Sequence, residues 1–169
     1  MKKGKVIGLV VLVLFLGGLG FGISQMVQNP EKYQSGANVD VVFDASEYAY
    51  ISTDSLIEKL GEPNDIYEYS EEDSYVYEDG MIDFTIRNDT VTKFKYMPVE
   101  PMSYKNQNDI FYMFGITPNK NTIKKTVDTN STYKFQSVAD GVFEFEIYDM
   151  KEKDKTFGWV FIDYQKPTK

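Results

Sequence analysis

The chain has 169 residues, a net charge of −8, and neither histidine nor cysteine. The missing residue types exclude imidazole general bases, Ser-His-Asp triads, thiol nucleophiles, disulfides and metal sites built from His or Cys. The negative charge repels nucleic acid, so we expect no nucleic-acid partner.

The first predicted element is an apolar N-terminal segment. Residues 6–23 carry no charge and, at about 1.5 Å per residue, nearly match the roughly 30 Å hydrocarbon core of a bilayer. Lysines precede the segment, which predicts an N-terminus inside the cell and a C-terminal domain outside. We therefore expect residues 1–24 to anchor a single-pass protein in the cell membrane. A signal peptide cleaved after Ser24 is the alternative, and would give a secreted protein.

The remainder of the chain divides by composition and by repetition. A polar stretch is predicted to be a tether, and two similar units follow it, separated by a proline-containing junction. An exported domain without disulfides is typical of Gram-positive bacteria. The predicted boundaries are 25–38 for the tether, 39–98 for the first unit, 99–106 for the junction and 107–169 for the second unit.

Each unit is predicted to begin with a short helix. Leu56 and Leu60 lie on the apolar stripe of the first helix, and Gly61 followed by Pro63 ends it. Residues 108–114 repeat this pattern before Gly115. Alternating strands with Asp-Gly turns follow each helix. The predicted fold class is α+β: two tandem repeats of a short helix plus a three- to four-stranded antiparallel sheet, preceded by one N-terminal transmembrane helix.

One motif resembles a known superfamily. Residues 51–63 (ISTDSLIEKLGEP), with Tyr-Val-Tyr at 75–77 and Asp-Phe-Thr-Ile at 83–86, resemble the SmpA/OmlA and beta-lactamase-inhibitor-protein-like superfamily. The chain is also similar to exported Firmicutes proteins of unknown function. The resemblance implies a non-catalytic scaffold that works by protein contact. This chain lacks the disulfides of the inhibitor protein and the lipid-modified cysteine of SmpA-type proteins, so neither specific function is transferred.

The residues present predict no enzyme, no catalytic residues, no cofactor and no metal site. Glu144 and Glu146 lie two apart on one strand, and a solvated strand face is the ordinary interpretation of such a pair. A carboxylate-only enzyme and weak calcium binding by acidic loops are the alternatives.

An excess of aromatic residues, 15% of the chain, is the feature that points to a partner. Tyrosine and tryptophan anchor protein interfaces, so the leading hypothesis is a membrane-tethered, non-catalytic interaction domain that binds an unknown envelope or secreted protein. The alternative function is a module that binds cell-wall glycan. A purely structural explanation is that these side chains pack between the two units. The candidate binding residues are Trp159, Phe161, Tyr148, Glu144, Glu146, Tyr75 and Tyr77.

Overall fold

The structure is a computed structural model that describes residues 39–164. Within this range are two α-helices and ten β-strands. The helices are α1 (Thr53–Leu60) and α2 (Asp109–Met113). The strands are β1 (Asp65–Glu68), β2 (Asp73–Tyr77), β3 (Ile82–Arg87), β4 (Thr90–Tyr96), β5 (Met102–Ser103), β6 (Lys124–Asp128), β7 (Thr132–Ala139), β8 (Val142–Tyr148), β9 (Thr156–Phe157) and β10 (Trp159–Asp163).

Eight of the strands form one antiparallel sheet in the order β1-β2-β3-β4-β10-β8-β7-β6, and β5 pairs with β9 in a small second sheet. The strands of both halves of the chain meet where β4 pairs with β10, with Val160 opposite Tyr96 and Ile162 opposite Phe94. The predicted architecture of two helix-plus-sheet repeats is therefore wrong. A separate sheet in each half would leave β4 and β10 with unpaired backbone edges, and one continuous sheet satisfies both.

Helix α1 ends as its sequence predicts. Ser52 is the N-cap, and its hydroxyl accepts a hydrogen bond of 3.2 Å from the amide of Ser55. Gly61, at φ +84°, donates its amide to the Ile57 carbonyl at 2.7 Å and closes the last turn.

The core is aromatic and lies on one face of the sheet. Phe111 of α2 packs on Phe145 and Phe135, with ring centroids 4.8 and 5.0 Å away. Phe43, which precedes the first helix, lies 5.0 Å from Phe94 of β4. Both halves of the chain thus contribute rings to a single core, and the helices cover this face of the sheet only.

The predicted membrane anchor does not appear in the part of the chain that the structure describes. No helix between residues 39 and 164 is long and apolar enough to span a bilayer. Helix α1 has eight residues and a length of about 12 Å, against a hydrocarbon core of about 30 Å. The prediction of a single-pass membrane protein is corrected accordingly. The apolar segment 6–23, the Ser24 cleavage site and the tether at 25–38 lie outside the described residues.

Candidate interaction surface

The face of the sheet opposite the helices is the candidate functional surface. Side chains alternate between the two faces along each strand. Phe94, Phe145 and Ile162 therefore point into the core, and their neighbours in sequence point the other way. We call this second surface the open face; across its central strands it carries Asp83, Thr85, Lys93, Lys95, Trp159, Phe161, Asp163, Tyr148, Glu146, Glu144, Lys134 and Gln136.

An aromatic stack lies at one end of the open face. Trp159 of β10 is directly opposite Tyr148 of β8, and their rings are parallel within 7° at a centroid separation of 3.7 Å. The ammonium group of Lys95 lies 5.4 Å from the Trp159 ring centroid. Because β10 runs between β8 and β4, Tyr148 and Lys95 approach Trp159 from opposite sides. Both broad faces of the indole are therefore engaged, and its edge is left for other contacts.

Phe161 lies at the centre of the open face, one position further along the same side of β10. Its cross-strand neighbours are Lys95 on β4 and Glu146 on β8. The ring is only half-buried, although it lies on a central strand. An apolar side chain is thus placed between a cation and an anion on a surface that no helix between residues 39 and 164 covers.

Beside the aromatic residues is a network of charged and polar groups. Lys134 of β7 binds Glu144 at 2.6 Å and Glu146 at 3.3 Å. Gln136 donates a hydrogen bond of 2.9 Å to Glu144, and the Tyr148 hydroxyl donates to Glu146. Glu144 is only 8% exposed. The network ties the stack to β7 and β8, so the aromatic and charged parts of the surface are held in one geometry.

The network changes the pKa values of Tyr148, Glu144 and Lys134. Burial raises the pKa of Tyr148 to about 12, with help from its hydrogen bond to Glu146. Burial alone would raise the pKa of Glu144, but the hydrogen bonds from Lys134 and Gln136 outweigh it and lower that pKa. Burial opposes the charge on Lys134, yet the two carboxylates raise its pKa overall. At neutral pH Tyr148 is therefore neutral, and Lys134 and Glu144 are both charged.

The structure brings five of the seven sequence-predicted residues together and separates the other two. Trp159, Phe161, Tyr148, Glu144 and Glu146 share the open face. The remaining two lie on the face that packs under the helices, because they pair with buried residues of β3. These two are Tyr75, opposite Phe84, and Tyr77, opposite Ile82 with its ring at 6.0 Å from Phe84.

Lysines of the open face are the functional candidates that sequence reasoning missed. Lys134 lies between two buried aromatic residues on β7, and this alternation in the sequence predicts that its side chain points away from the core. Lys95 also alternates with buried residues, but its position beside Trp159 depends on the pairing of β4 with β10. That pairing joins distant parts of the chain, and no local pattern predicts it.

The carboxylates of the described residues do not form a metal site. Between residues 39 and 164, no group of three or more carboxylates is placed to hold an ion. An open depression of about 520 Å³ at the turn between β1 and β2 is lined by several acidic side chains. Two of them are paired with cations: Glu71 with Arg87 at 2.7 Å, and Glu72 with Lys93 at 2.8 Å.

Comparison with known proteins gives no family. No family model matches the chain, and no curated protein does. A cysteine-rich secretory protein from Staphylococcus aureus is similar at 12% identity with a TM-score of 0.42, over 76% of this chain and 49% of that one. An extracellular protein containing an SCP domain from Bacillus anthracis is similar at 12% identity with a TM-score of 0.44, over 77% and 48%.

The chain spans about half the length of these two proteins, and at such TM-scores the similarity carries no argument about function. The matches are to secretory and SCP-domain proteins, and no family model supports the SmpA/OmlA and beta-lactamase-inhibitor-protein-like resemblance. The predicted membership of that superfamily is therefore wrong. The Leu-Gly-Glu-Pro segment that suggested it is simply the end of α1, which many short helices would share.

Proposed function

We propose that the protein is a non-catalytic interaction domain that binds a partner protein on the open face. The observation that carries the proposal is the placement of Trp159, Tyr148 and Phe161 on a sheet face that no described helix covers. Large aromatic rings provide much of the binding energy of protein interfaces because they bury a large area and lose little conformational entropy. Their usual place in a monomer is the core.

The surface supports binding because its side chains already contact one another in the absence of a partner. Trp159 is held between Tyr148 and Lys95, and the tyrosine hydroxyl is fixed by Glu146. Ordering these side chains therefore costs little at the moment of binding. Charged groups around Phe161 supply the polar rim that protein interfaces have around an apolar centre.

The geometry supports a protein partner over the alternative, a cell-wall glycan. Sugars stack on the broad face of an aromatic ring, and both faces of Trp159 are engaged by Tyr148 and Lys95. Ring edges and the flat side of Phe161 suit contacts with apolar protein side chains. A glycan would have to displace Lys95 before it could stack on the indole.

The test compares three versions of the full chain: unmodified, Trp159→Ala/Phe161→Ala, and Tyr112→Ala as a matched aromatic control on α2. Each is crosslinked in cells through a photoreactive residue at Thr132, which lies beside Tyr148 on the open face. We expect a protein that is captured by the unmodified chain and the control but lost from the double variant. With that protein purified, the double variant should bind at least about tenfold more weakly, a loss of about 1.4 kcal/mol or more.

Circular dichroism and thermal unfolding show whether the double variant retains its fold. Equal capture by the folded double variant and the unmodified chain would contradict the proposal. Retention on purified peptidoglycan that depends on Trp159 and Phe161, with no captured protein, would favour the glycan alternative.

A further inference from the structure

A second surface lies at the end of the sheet, on the outer edge of β1. Strand β1 is the terminal strand, so it pairs with β2 on one side only. The Tyr69 amide donates a hydrogen bond of 3.0 Å to the Glu72 carbonyl. Because hydrogen-bonded positions alternate along an antiparallel strand, the backbone groups of Tyr67 and Asp65 also face β2. The amide and carbonyl groups of Ile66 and Glu68 therefore point outward, and no strand among residues 39–164 pairs with them.

The side chains of this edge favour the addition of another strand. Ile66, Tyr67 and Tyr69 are 49%, 51% and 64% exposed. Isoleucine and tyrosine have high strand propensity. Exposed apolar side chains beside an unpaired backbone edge are the two features that peptide recognition by strand addition uses.

The opposite end of the same sheet is protected, and this contrast gives the β1 edge its significance. Strand β6 carries Lys124 and Lys125, and its pairing with β7 is interrupted by a register shift between Lys125 and Val127. Charged lysines and bulges are devices that stop edge strands from pairing. Strand β1 contains neither a lysine nor a proline, and its four-residue ladder with β2 is unbroken.

The charge of the edge determines which occupant fits. Asp65 and Glu68 belong to β1 and form no ion pair with another residue between 39 and 164. Glu71 and Glu72 continue the acidic character into the turn, although each has a cation partner. A second copy of this chain, which has a net charge of −8, would bring the same carboxylates into close apposition. Like charges on adjacent strands are destabilising.

We propose that the outer edge of β1 binds an extended, basic segment of a partner protein, which adds a ninth strand to the sheet. The backbone of Ile66 and Glu68 supplies the hydrogen bonds. Lysine or arginine side chains of the segment pair with Asp65 and Glu68, and its apolar side chains cover Ile66 and Tyr67. This site is separate from the open-face aromatic residues, which lie on strands at the centre of the sheet.

The probe is the amidated peptide Lys-Lys-Val-Val-Lys-Lys with carboxyfluorescein on its N-terminus, and its binding to the full chain is followed by fluorescence anisotropy. Its central Lys-Val-Val-Lys places one lysine and one valine on each face of the added strand, because Asp65 and Tyr67 lie on one face of β1 and Ile66 and Glu68 on the other. Two control peptides have Glu in place of each Lys, or Pro in place of each Val. The first reverses the charge, and the second keeps the charge but cannot form a ladder. We expect the basic peptide to bind at least about tenfold more tightly than either control. Equal binding of all three peptides, or binding of none, would overturn the proposal.

The variant Ile66→Pro removes one outward amide without breaking a bond to β2, because edge strands accept proline where the amide faces outward. We expect it to weaken binding of the basic peptide at least about tenfold, and Ile66→Thr, which keeps the amide, to change binding less than about threefold. Trp159→Ala/Phe161→Ala should bind the peptide as the unmodified chain does. The two proposals can therefore fail independently.

Amide hydrogen exchange on the unmodified chain keeps the test decisive if Ile66→Pro does not fold. The peptide should slow exchange at Ile66 and Glu68, whose amides face outward, and leave Tyr67, whose amide faces β2, nearly unchanged. Protection of Ile66 and Glu68 before any peptide is added would mean that another part of the chain or a second copy occupies the edge. That result would also overturn the proposal.

Discussion

The turn after α2 shows how a single residue determines local backbone geometry. Gly115 has φ +70°, and a Cβ placed on it would lie 2.6 Å from the Asp44 side-chain carbon Cγ. The backbone amide of Ala45 bonds to the Phe114 carbonyl at 3.1 Å, so the segment around Asp44 is fastened against this turn. The glycine is therefore required for two reasons, its conformation and its lack of a side chain.

We expect Gly115→Ala to lower the free energy of unfolding by about 3 kcal/mol, because strain at positive φ and a steric clash act together. Gly141→Ala is the matched control: its φ is +76°, and its Cβ would meet only the Ala49 Cβ at an ordinary 3.7 Å. The control should lose about 1 kcal/mol. Urea denaturation of both variants measures the difference, and equal losses would contradict the role given to Asp44.

A second prediction at this scale concerns Glu144 and Lys134. The pKa of Glu144 is lowered in the folded protein, so its charged form contributes stability above its unfolded pKa of about 4.5, and this stability is lost as the pH falls through the folded pKa. Lys134→Ala removes the cation and leaves a mostly buried carboxylate. We expect a loss of about 1–2 kcal/mol at pH 7 and acid unfolding that begins at a higher pH.

Urea denaturation between pH 3 and pH 7 measures both effects. Gln136→Ala, which removes a neutral donor to the same carboxylate, is the comparison and should have the smaller effect. If Lys134→Ala left the pH dependence of stability unchanged, the ion pair would not be what lowers the pKa of Glu144.

At the scale of the element, β10 is the strand that completes the sheet. Val160 and Ile162 are fully buried, and each lies between a residue of β4 and a residue of β8. Their neighbours Trp159 and Phe161 point to the open face. One five-residue strand thus joins the two halves of the core and presents the central aromatic residues of the candidate surface.

We expect Ile162→Ala to lower the free energy of unfolding by about 3 kcal/mol, because it leaves a cavity between Phe94 and Phe145 where neither strand can move to fill it. Unfolding should remain a single transition, with Trp159 fluorescence and far-ultraviolet circular dichroism giving the same midpoint. Separate midpoints would show that the two halves fold independently, contrary to a shared core. Val127→Ala, on the edge strand β6, is the control and should cost less than about 1 kcal/mol.

At the scale of the whole molecule, the two faces and the two ends of the sheet differ in chemistry. The helices cover one face, and the other carries the aromatic stack with its ion pairs. One end of the sheet is closed by lysines, whereas the other presents acidic and apolar side chains on an edge that no further strand of residues 39–164 pairs with. These asymmetries give the molecule two surfaces suited to binding, one that buries aromatic side chains and one that adds a strand.

The sequence by itself determined most of the local structure of the described residues. The apolar stripe and Gly61 predicted the end of α1, and alternating residues around the Asp-Gly turns predicted strands where β3 and β8 lie. Trp159 and Phe161 alternate with the buried Val160 and Ile162, so the period of a strand puts the two pairs on opposite faces, although the sequence left open whether the first pair packs between the two units. These features follow from interactions between residues close in the chain, or from the period of the strand, so they are visible in the sequence.

Only the tertiary structure decided which strands pair and which distant side chains meet. The pairing of β4 with β10 turned two expected repeats into one sheet and brought Lys95 to Trp159. The pairing of β2 with β3 placed Tyr75 and Tyr77 on the core face of that sheet, away from Tyr148. The contacts of β4 with β10 connect residues far apart in the chain. Their free energy depends on which edges and faces remain unsatisfied after local structure has formed, and many pairings share the same local pattern. The candidate surfaces of this protein therefore depend on long-range strand pairing, which the local sequence does not specify.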